Sequence, residues 1–444
     1  MVSLLATLNN CVTNEQQSQF KPPLMKHDES DENRNLIETV VKQSHQASEK
    51  LAITQGSQRS DALEAMANAL REAFDEILEA NTLDLETCRE MAIPPLILEW
   101  LKLTPQRLEI AIKILERLGT IADPIQKVSH APYPLDPAQT YCQRMPLGVI
   151  TLIYEAFPEL SAIAAGLCVK TGNSLVLRGG SEASHSNEAI VNALNFALEE
   201  TKLPQHTLQL LPCDQGCSVL DLVRQEPYTK LVIPYGRPSL VQQTARSANV
   251  PILRTAIGNC YLYWSTSGSA EKVKSVIVDS HASEPDPVNA IEKVLINRNI
   301  KASILINLFH GLQEKGFTLR GEASIVEEYG QYLNPVQDQE WSESYIDKIV
   351  AFRWVDDIGS AIAWINRHSS GHADCIISQS YRETRQFAQT VDSALVYINA
   401  SPRFFRYAAN GDSIFLGVSN QKGYRRGLIG LESLTTFKQV VQGQ

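Results

Sequence analysis

The sequence predicts an α/β protein with two parallel-sheet lobes and a helical N-terminal region, and three observations carry that expectation. The chain has 444 residues with 43% hydrophobic content, too long for one ordinary core and well supplied for two. From residue 149 onward, short and almost continuously apolar stretches alternate with helical patterns, as expected of parallel strands covered on both faces. Ahead of them, apolar residues recur at intervals of three and four, which sets one face of each helix against a core.

In chain order, residues 1–34 are rich in Asn, Gln, Ser and acidic side chains and contain Pro22 and Pro23, a composition expected to leave a disordered tail. Between 36 and 118, Leu63, Met66, Ala67, Leu70, Phe74, Ile77 and Leu78 mark a helical face. Ser60 or Asp61 is placed to cap a helix there, and Pro94-Pro95 and Thr104-Pro105 punctuate the later ones. Residues 129–148 are proline-interrupted and read as extended edge structure.

VITLIYE at 149–155 then opens a βαβ series: helix over 159–171, strand SLVLRGG, helix over 183–200, strand LQLLP, a helix near Leu220 and strand KLVIPYG. A second series has VPILRTAIGNCYLYW, helices near 270–278 and over 289–296, strand IVAFRWV, helix DIGSAIAWINRH, and strands DCIISQ and SALVYINA. Residues 310–341 read as a connecting linker.

A net charge of −10 removes the electrostatic footprint of non-specific nucleic-acid binding and makes anionic membranes poor partners. No window offers about 18 uninterrupted apolar residues, and the apolar run at 2–8 lacks a basic leader and a cleavage site. Eight scattered cysteines without a dense framework fit a reducing, cytoplasmic compartment. Cys213 and Cys217 in PCDQGC have no further ligands at zinc spacing nearby, so no metal is expected and a structural role is.

The segment MPLGVITLIYEAFPELSAIAAGLCVKTGNSLVLRGGSEASHSNEAI resembles the signature of gamma-glutamyl phosphate reductases, in which an LGV strand, a Y-E-x-x-P turn, a K-x-G-N step and an RGGSEA loop follow in this order. ANTLDLE, INRHSSGHADCIIS, VDSALVYINASPRF and RRGLIGLESLTTFK extend the likeness over about residues 36–440. The resemblance implies an aldehyde-dehydrogenase-like fold, with a nucleotide-binding lobe at 35–258, a catalytic-type lobe at 259–417, and oligomerisation segments at 126–146 and 418–444. It implies NADPH-dependent reduction of L-glutamyl 5-phosphate to L-glutamate 5-semialdehyde with release of phosphate, a step toward proline. It also implies a homo-oligomer, or a mixed oligomer with a true reductase.

Residue by residue, Arg178, Gly179, Gly180, Ser181 and Glu182 match the RGGSEA loop and are expected to face NADP. The same glycines would suit a plain strand-to-helix turn. The family's nucleophile segment, N-A-K-T-Q-R-P-x-x-C-N-x-x-E-T-L-L, aligns without gaps through Pro285, Asn289, Glu292 and Leu295, which places Val288 where the cysteine stands and Asn289 on the substrate side. Valine has no nucleophilic atom and no leaving-group capacity, so no thioester forms there.

Other departures accompany it. Y-E-S-R-P becomes YEAFP, with Ala156 and Phe157; I-P-R-G-G-K becomes IPYGRP, with Tyr235, Arg237 and Pro238; and T-G-A-G-x-C-H becomes TAIGNCY, with Ala256 and Ile257. In the C-terminal loop, Arg406 replaces an aspartate, Tyr407 and Ala408 two glycines, and Phe415 a glutamate. Cys260 matches a second family cysteine and is expected to be structural. His281 replaces a lysine and reads as a base or, more commonly, a surface residue, while His372 matches the family and is expected against the catalytic loop. Two functions therefore stand side by side: the family reaction, and a non-catalytic paralogue that binds a nucleotide or partners a reductase.

Overall fold

The computed structural model describes residues 28–443 except 126, 131–138, 214–217, 283–284, 408–412 and 424. Most of the expected tail, Cys217 and Ala408 lie outside the described residues. Helix α1 (Asp28–Ala52) begins inside the 1–34 stretch. Ile37 and Val41 anchor it in the core.

Four more helices complete the N-terminal region: α2 (Gly56–Glu72), α3 (Phe74–Glu90), α4 (Pro95–Leu101) and α5 (Pro105–Thr120). Leu63, Met66, Ala67, Leu70 and Ile77 are fully buried, as the periodicity requires. The start of α2 differs from expectation. Gln55 is its N-cap, so Ser60 and Asp61 lie within the helix, and the Ser60 hydroxyl instead accepts a hydrogen bond from Lys170 at 3.0 Å. Thr104 caps α5 by accepting the Arg107 N–H, and Pro105 takes the first helical position.

After β1 (Val128–His130) and β2 (Gln139–Pro146), a four-stranded parallel sheet forms from β3 (Val149–Tyr154), β4 (Ser174–Arg178), β5 (Leu208–Leu210) and β6 (Thr229–Tyr235). Helices α6 (Glu159–Lys170), α7 (Ser184–Glu200), α8 (Val219–Leu222) and α9 (Pro238–Ser247) connect and flank the strands. The strand order is β5-β4-β3-β6. The chain thus winds one way from β3 to β5 and then returns to the other side of β3, and the crevice beyond the carboxyl ends of β3 and β6 is where such a sheet binds ligands.

The second sheet is parallel and seven-stranded, in the order β10-β9-β11-β8-β7-β12-β13. Its strands are β7 (Cys260–Trp264), β8 (Ile291–Asn297), β9 (Thr318–Gly321), β10 (Asn334–Pro335), β11 (Ile349–Val355), β12 (Ala373–Ile377) and β13 (Leu395–Ile398), with α10 (Ala270–Ser280), α11 (Ala302–Gln313), α12 (Ala323–Tyr329), α13 (Ile358–His368) and α14 (Tyr381–Thr390) between them. Two expectations are corrected here. The helix expected over 289–296 is the strand β8, buried along its whole length between β7 and β11. The expected linker at 310–341 carries the end of α11, β9, α12 and β10, which form one edge of the sheet.

Near the C-terminus, β14 (Gly417–Ser419) pairs with β15 (Gly427–Ile429), and β16 (Thr435–Gln442) runs antiparallel to β2 from Thr435 opposite Pro146 to Gln442 opposite Gln139. The order β1-β2-β16 leaves one edge of β16 without a partner strand among the described residues. No helix of the described chain is long and apolar enough to cross a membrane.

Candidate functional site

The crevice beyond β3 and β6 receives three turns from the first sheet and two loops from elsewhere. At the end of β4, the RGGSEA turn packs tightly on itself. A side chain at Gly179 would meet Asn187 Nδ2 at 2.2 Å, and one at Gly180 would meet the Glu182 carboxylate at 2.0 Å. At Gly179 a side chain would press on the buried Asn187 amide, whereas at Gly180 it would displace only the end of the Glu182 side chain. Glu182 turns inward and accepts the Ala156 N–H at 2.8 Å, and burial raises its carboxyl above the usual range. Arg178 reaches the Gly179 carbonyl and the Cys213 sulfur at 2.9 Å.

Ser181 stays exposed on the rim of a cavity of about 650 Å³, lined also by Ser184, His185, Asn187, Glu188 and Cys213. Asn187 accepts a hydrogen bond from the Tyr154 hydroxyl at 2.8 Å, while its buried Nδ2 has no acceptor. A hydroxyl at the rim and an unsatisfied amide donor suit a polar ligand such as a ribose. At α9 the situation differs. Glu155 accepts the Arg237 N–H at 2.8 Å and pairs with its guanidinium at 2.8 Å, so a carboxylate of the protein already covers the start of that helix. Beside it, a cavity of about 510 Å³ is lined by Pro238, Ser239, Gln242, Thr255, Asn259 and Ser370.

Val288 is fully buried and packs with Phe404 and Val418, with Phe415 and Leu428 against them. Its carbonyl accepts the Gly258 N–H at 2.9 Å and a hydrogen bond from His372 Nε2 at 2.8 Å. His372 Nδ1 lies 2.8 Å from the Ser370 hydroxyl. Burial lowers the His372 pKa to about 4, so the ring is neutral and holds the loop rather than serving as a base.

Cys260 Sγ lies 3.3 Å from the same Nε2, but burial pushes this thiol well above its ordinary pKa, which fits a structural cysteine. Asn289 is buried and donates to the Pro402 carbonyl at 2.8 Å, so its amide anchors the C-terminal loop. His281 is corrected from a surface residue: its ring packs edge-on to Phe317 at 5.0 Å, and its Nε2 meets the Ile291 carbonyl at 3.0 Å.

The departures from the family motif converge in space. Phe157 stacks on Trp100 at 4.6 Å and meets Tyr235 edge-on at 5.5 Å. Arg406 then reaches Tyr235 and Asp286 together, its Nη2 donating to the tyrosine oxygen at 2.8 Å and to the carboxylate at 2.7 Å. The Tyr235 hydroxyl also donates to Asp286, and Arg406 Nη1 to the Leu416 carbonyl. This buried triad ties the end of β6, the loop before β8 and the C-terminal loop into one unit. Asp286 escaped the sequence reading, although the arginine newly placed at position 406 was the signal to look for a carboxylate partner.

Comparison with known proteins agrees with this architecture. Residues 26–257 match the model of the aldehyde dehydrogenase family. The chain is 52% identical over 389 residues to "Gamma-glutamyl phosphate reductase 2" of Synechocystis sp., spanning 88% of this chain and 93% of that protein. It is 37% identical to gamma-glutamyl phosphate reductase of Gloeobacter violaceus, over 92% of this chain and 97% of the relative. The crystal structure of gamma-glutamyl phosphate reductase from Thermotoga maritima superposes with a TM-score of 0.83 at 31% identity, covering 92% of this chain and 98% of that one. An acetylating aldehyde dehydrogenase from Geobacillus thermoglucosidasius shares the fold at a TM-score of 0.67 and 15% identity. With relatives this similar matched along nearly their whole length, the chain belongs to the gamma-glutamyl phosphate reductase family.

Proposed function

We propose that the chain takes the substrates of gamma-glutamyl phosphate reductase, converting L-glutamyl 5-phosphate to L-glutamate 5-semialdehyde and phosphate with NADPH, in the crevice beyond β3 and β6. The observation that carries this reading is identity of 52% to a named reductase along 93% of its length. That degree of likeness favours the reductase over a partner-only protein. NADPH, when bound, supplies the hydride. On this reading Ser181 and the turn from Arg178 to Glu182 hold its ribose end, with Asn187 Nδ2 as a spare donor in the cavity wall. Glu155 over Arg237 weakens the hold at the other end.

Val288 occupies the position of the family nucleophile, and this changes what the chain's own residues do. Attack by a thiolate on the acyl phosphate is absent at this position. The backbone there is held by Gly258 and His372, and the side chain is sealed by Phe404 and Val418. The remaining contribution of the site is to bind, orient and exclude water. Turnover is therefore expected to be slow and independent of any thiol. A homo-oligomer is part of the same proposal, because β16 has a backbone edge without a partner strand among the described residues and carries the exposed Phe437 and Val441.

The test is the reverse reaction, with L-glutamate 5-semialdehyde, phosphate and NADP⁺, followed as NADPH formation before and after thiol alkylation. The expected outcome is low activity that iodoacetamide leaves unchanged, and a gain in Val288→Cys that iodoacetamide abolishes. Wild-type turnover in the usual range of about 1 to 10³ s⁻¹ that alkylation removes would overturn the assignment of Val288. No turnover in either form, with no melting shift from NADPH, would favour the partner-only reading instead; a ligand at 100 times its dissociation constant stabilises by about 2.7 kcal/mol.

A further inference from the structure

Four arginines near the crevice are matched to carboxylates of the protein. Arg107 is bidentate to Glu159, Arg237 pairs with Glu155 at 2.8 Å, Arg403 with Asp279 at 3.2 Å and Arg406 with Asp286 at 2.7 Å. Three of these pairs join residues close to the surface or within the first lobe's own packing. The fourth is different. Asp286 sits two residues before Val288, its carbonyl accepts the Val288 N–H at 2.9 Å, and its buried carboxylate meets Tyr235 and Arg406.

Arg406 is buried, and its Nε is a buried donor with no acceptor. The same arginine lines a cavity of about 380 Å³ with Arg107, Glu159, Arg403, Phe404 and Pro285, the Glu159 carboxylate being held by Arg107, which gives Arg406 an approach from outside. Tyr235 adds a hydroxyl directed at the same carboxylate and a ring beneath the guanidinium, 5.3 Å from it. A guanidinium that gives one nitrogen to a carboxylate and a phenol, another to a backbone carbonyl, and keeps its Nε without an acceptor has the composition of an oxyanion site that the protein fills from within.

We propose that Arg406 and Tyr235 form an oxyanion-binding site for a phosphate group and that Asp286 masks it, so that phosphate binds only when the Asp286 carboxylate is neutralised or displaced. This deepens the proposed function by assigning specificity to that same crevice. A carboxylate in place sets a like charge against an incoming phosphate and disfavours it, while leaving neutral or cationic groups unpenalised. Asp286 is thus a specificity-determining residue: it lowers affinity for free phosphate without altering the nucleotide turn at β4.

The experiment titrates inorganic phosphate against purified full-length protein, by calorimetry and by melting temperature, with no NADPH or glutamate derivative present. Failure here is therefore separable from failure of the reductase reading. Wild type is expected to show no response at millimolar phosphate. Asp286→Asn, which keeps the shape and one acceptor for Tyr235, is expected to bind at least about tenfold more tightly. Adding Arg406→Gln to that variant should remove the gain. Asp286→Ser also removes the carboxylate and should give a comparable gain, which supplies a reading if Asp286→Asn does not fold, and adding Tyr235→Phe to either variant should weaken the gain. Equal binding by wild type and a folded Asp286 variant, a response that survives Arg406→Gln, or a gain unchanged by Tyr235→Phe, would each overturn the proposal.

Discussion

His372 precedes β12 and Asp374 lies within it, and burial displaces their protons in opposite senses. The His372 pKa is lowered to about 4 by burial, against the Val288 carbonyl, which favours the protonated ring. Asp374 is raised to about 7 by burial, although the Ser393 and Ser369 hydroxyls and the Tyr261 N–H all donate to its carboxylate. For His372 the unfolded chain binds the extra proton between its ordinary value and about 4, so its share of stability falls as the solution is acidified through that window. For Asp374 the folded chain binds the extra proton up to about pH 7, so its share rises on acidification and is lost as pH climbs to 7. In wild type the two contributions therefore oppose each other across this range. His372→Asn should become more stable on acidification, and Asp374→Asn less stable, each with a slope of up to about 1.4 kcal/mol per pH unit in urea unfolding. Parallel curves for the two variants would contradict the opposing assignment.

Strand β8 shows why a charged stretch with apolar neighbours was misread. Glu292 and Lys293 sit side by side in a window of Ile, Val and Leu, which on paper gives a helical face, yet both side chains are fully buried. Each has a partner that only the folded chain supplies. Glu292 accepts the N–H groups of Asn259, Tyr345 and Ile346 at 2.8 to 2.9 Å, stitching the start of β7 and the 344–346 segment to the strand. Lys293 Nζ lies over the Tyr345 ring at 3.6 Å and donates to the Glu343 carbonyl at 3.1 Å, and burial lowers its pKa to about 8. Glu292→Ala leaves the buried Asn259 N–H and the partly buried Tyr345 and Ile346 N–H groups without their acceptor, at roughly 1 to 3 kcal/mol for a buried one, so a loss of about 2 kcal/mol or more is expected in urea unfolding, with Glu292→Gln in between. A change under about 1 kcal/mol for the alanine variant would show that water replaces the carboxylate. Periodicity alone was sufficient for β3, α6, β4 and α13, where apolar spacing and burial coincide. It failed where tertiary hydrogen bonds, invisible in the sequence, made charged residues core residues.

At the scale of the whole molecule, the sheet β1-β2-β16 governs assembly. Phe437 is 48% exposed and Val441 50% exposed on the outer strand, and an apolar edge of this kind is an aggregation hazard unless a second chain covers it. Light scattering of dilute protein is expected to report at least twice the 49.3 kDa chain mass, and truncation after Arg426 to yield monomer or precipitate. A well-behaved full-length monomer at micromolar concentration would contradict this. The order of motifs made the overall architecture legible in the sequence, because each strand and turn of the RGGSEA region has local chemistry of its own. The triad did not show, since Tyr235, Asp286 and Arg406 are remote in the chain and only their joint geometry reveals a site. That geometry also constrains substitution. Tyr235→Arg alone would set a second guanidinium beside Arg406, and Arg406→Asp alone would set a second carboxylate beside Asp286. Each single reversion toward the family motif sets like charges together in a buried space, so substitutions in contact act jointly rather than additively. Tyr235, Asp286 and Arg406 thus form a coupled lock, in which no member can be exchanged without affecting the others.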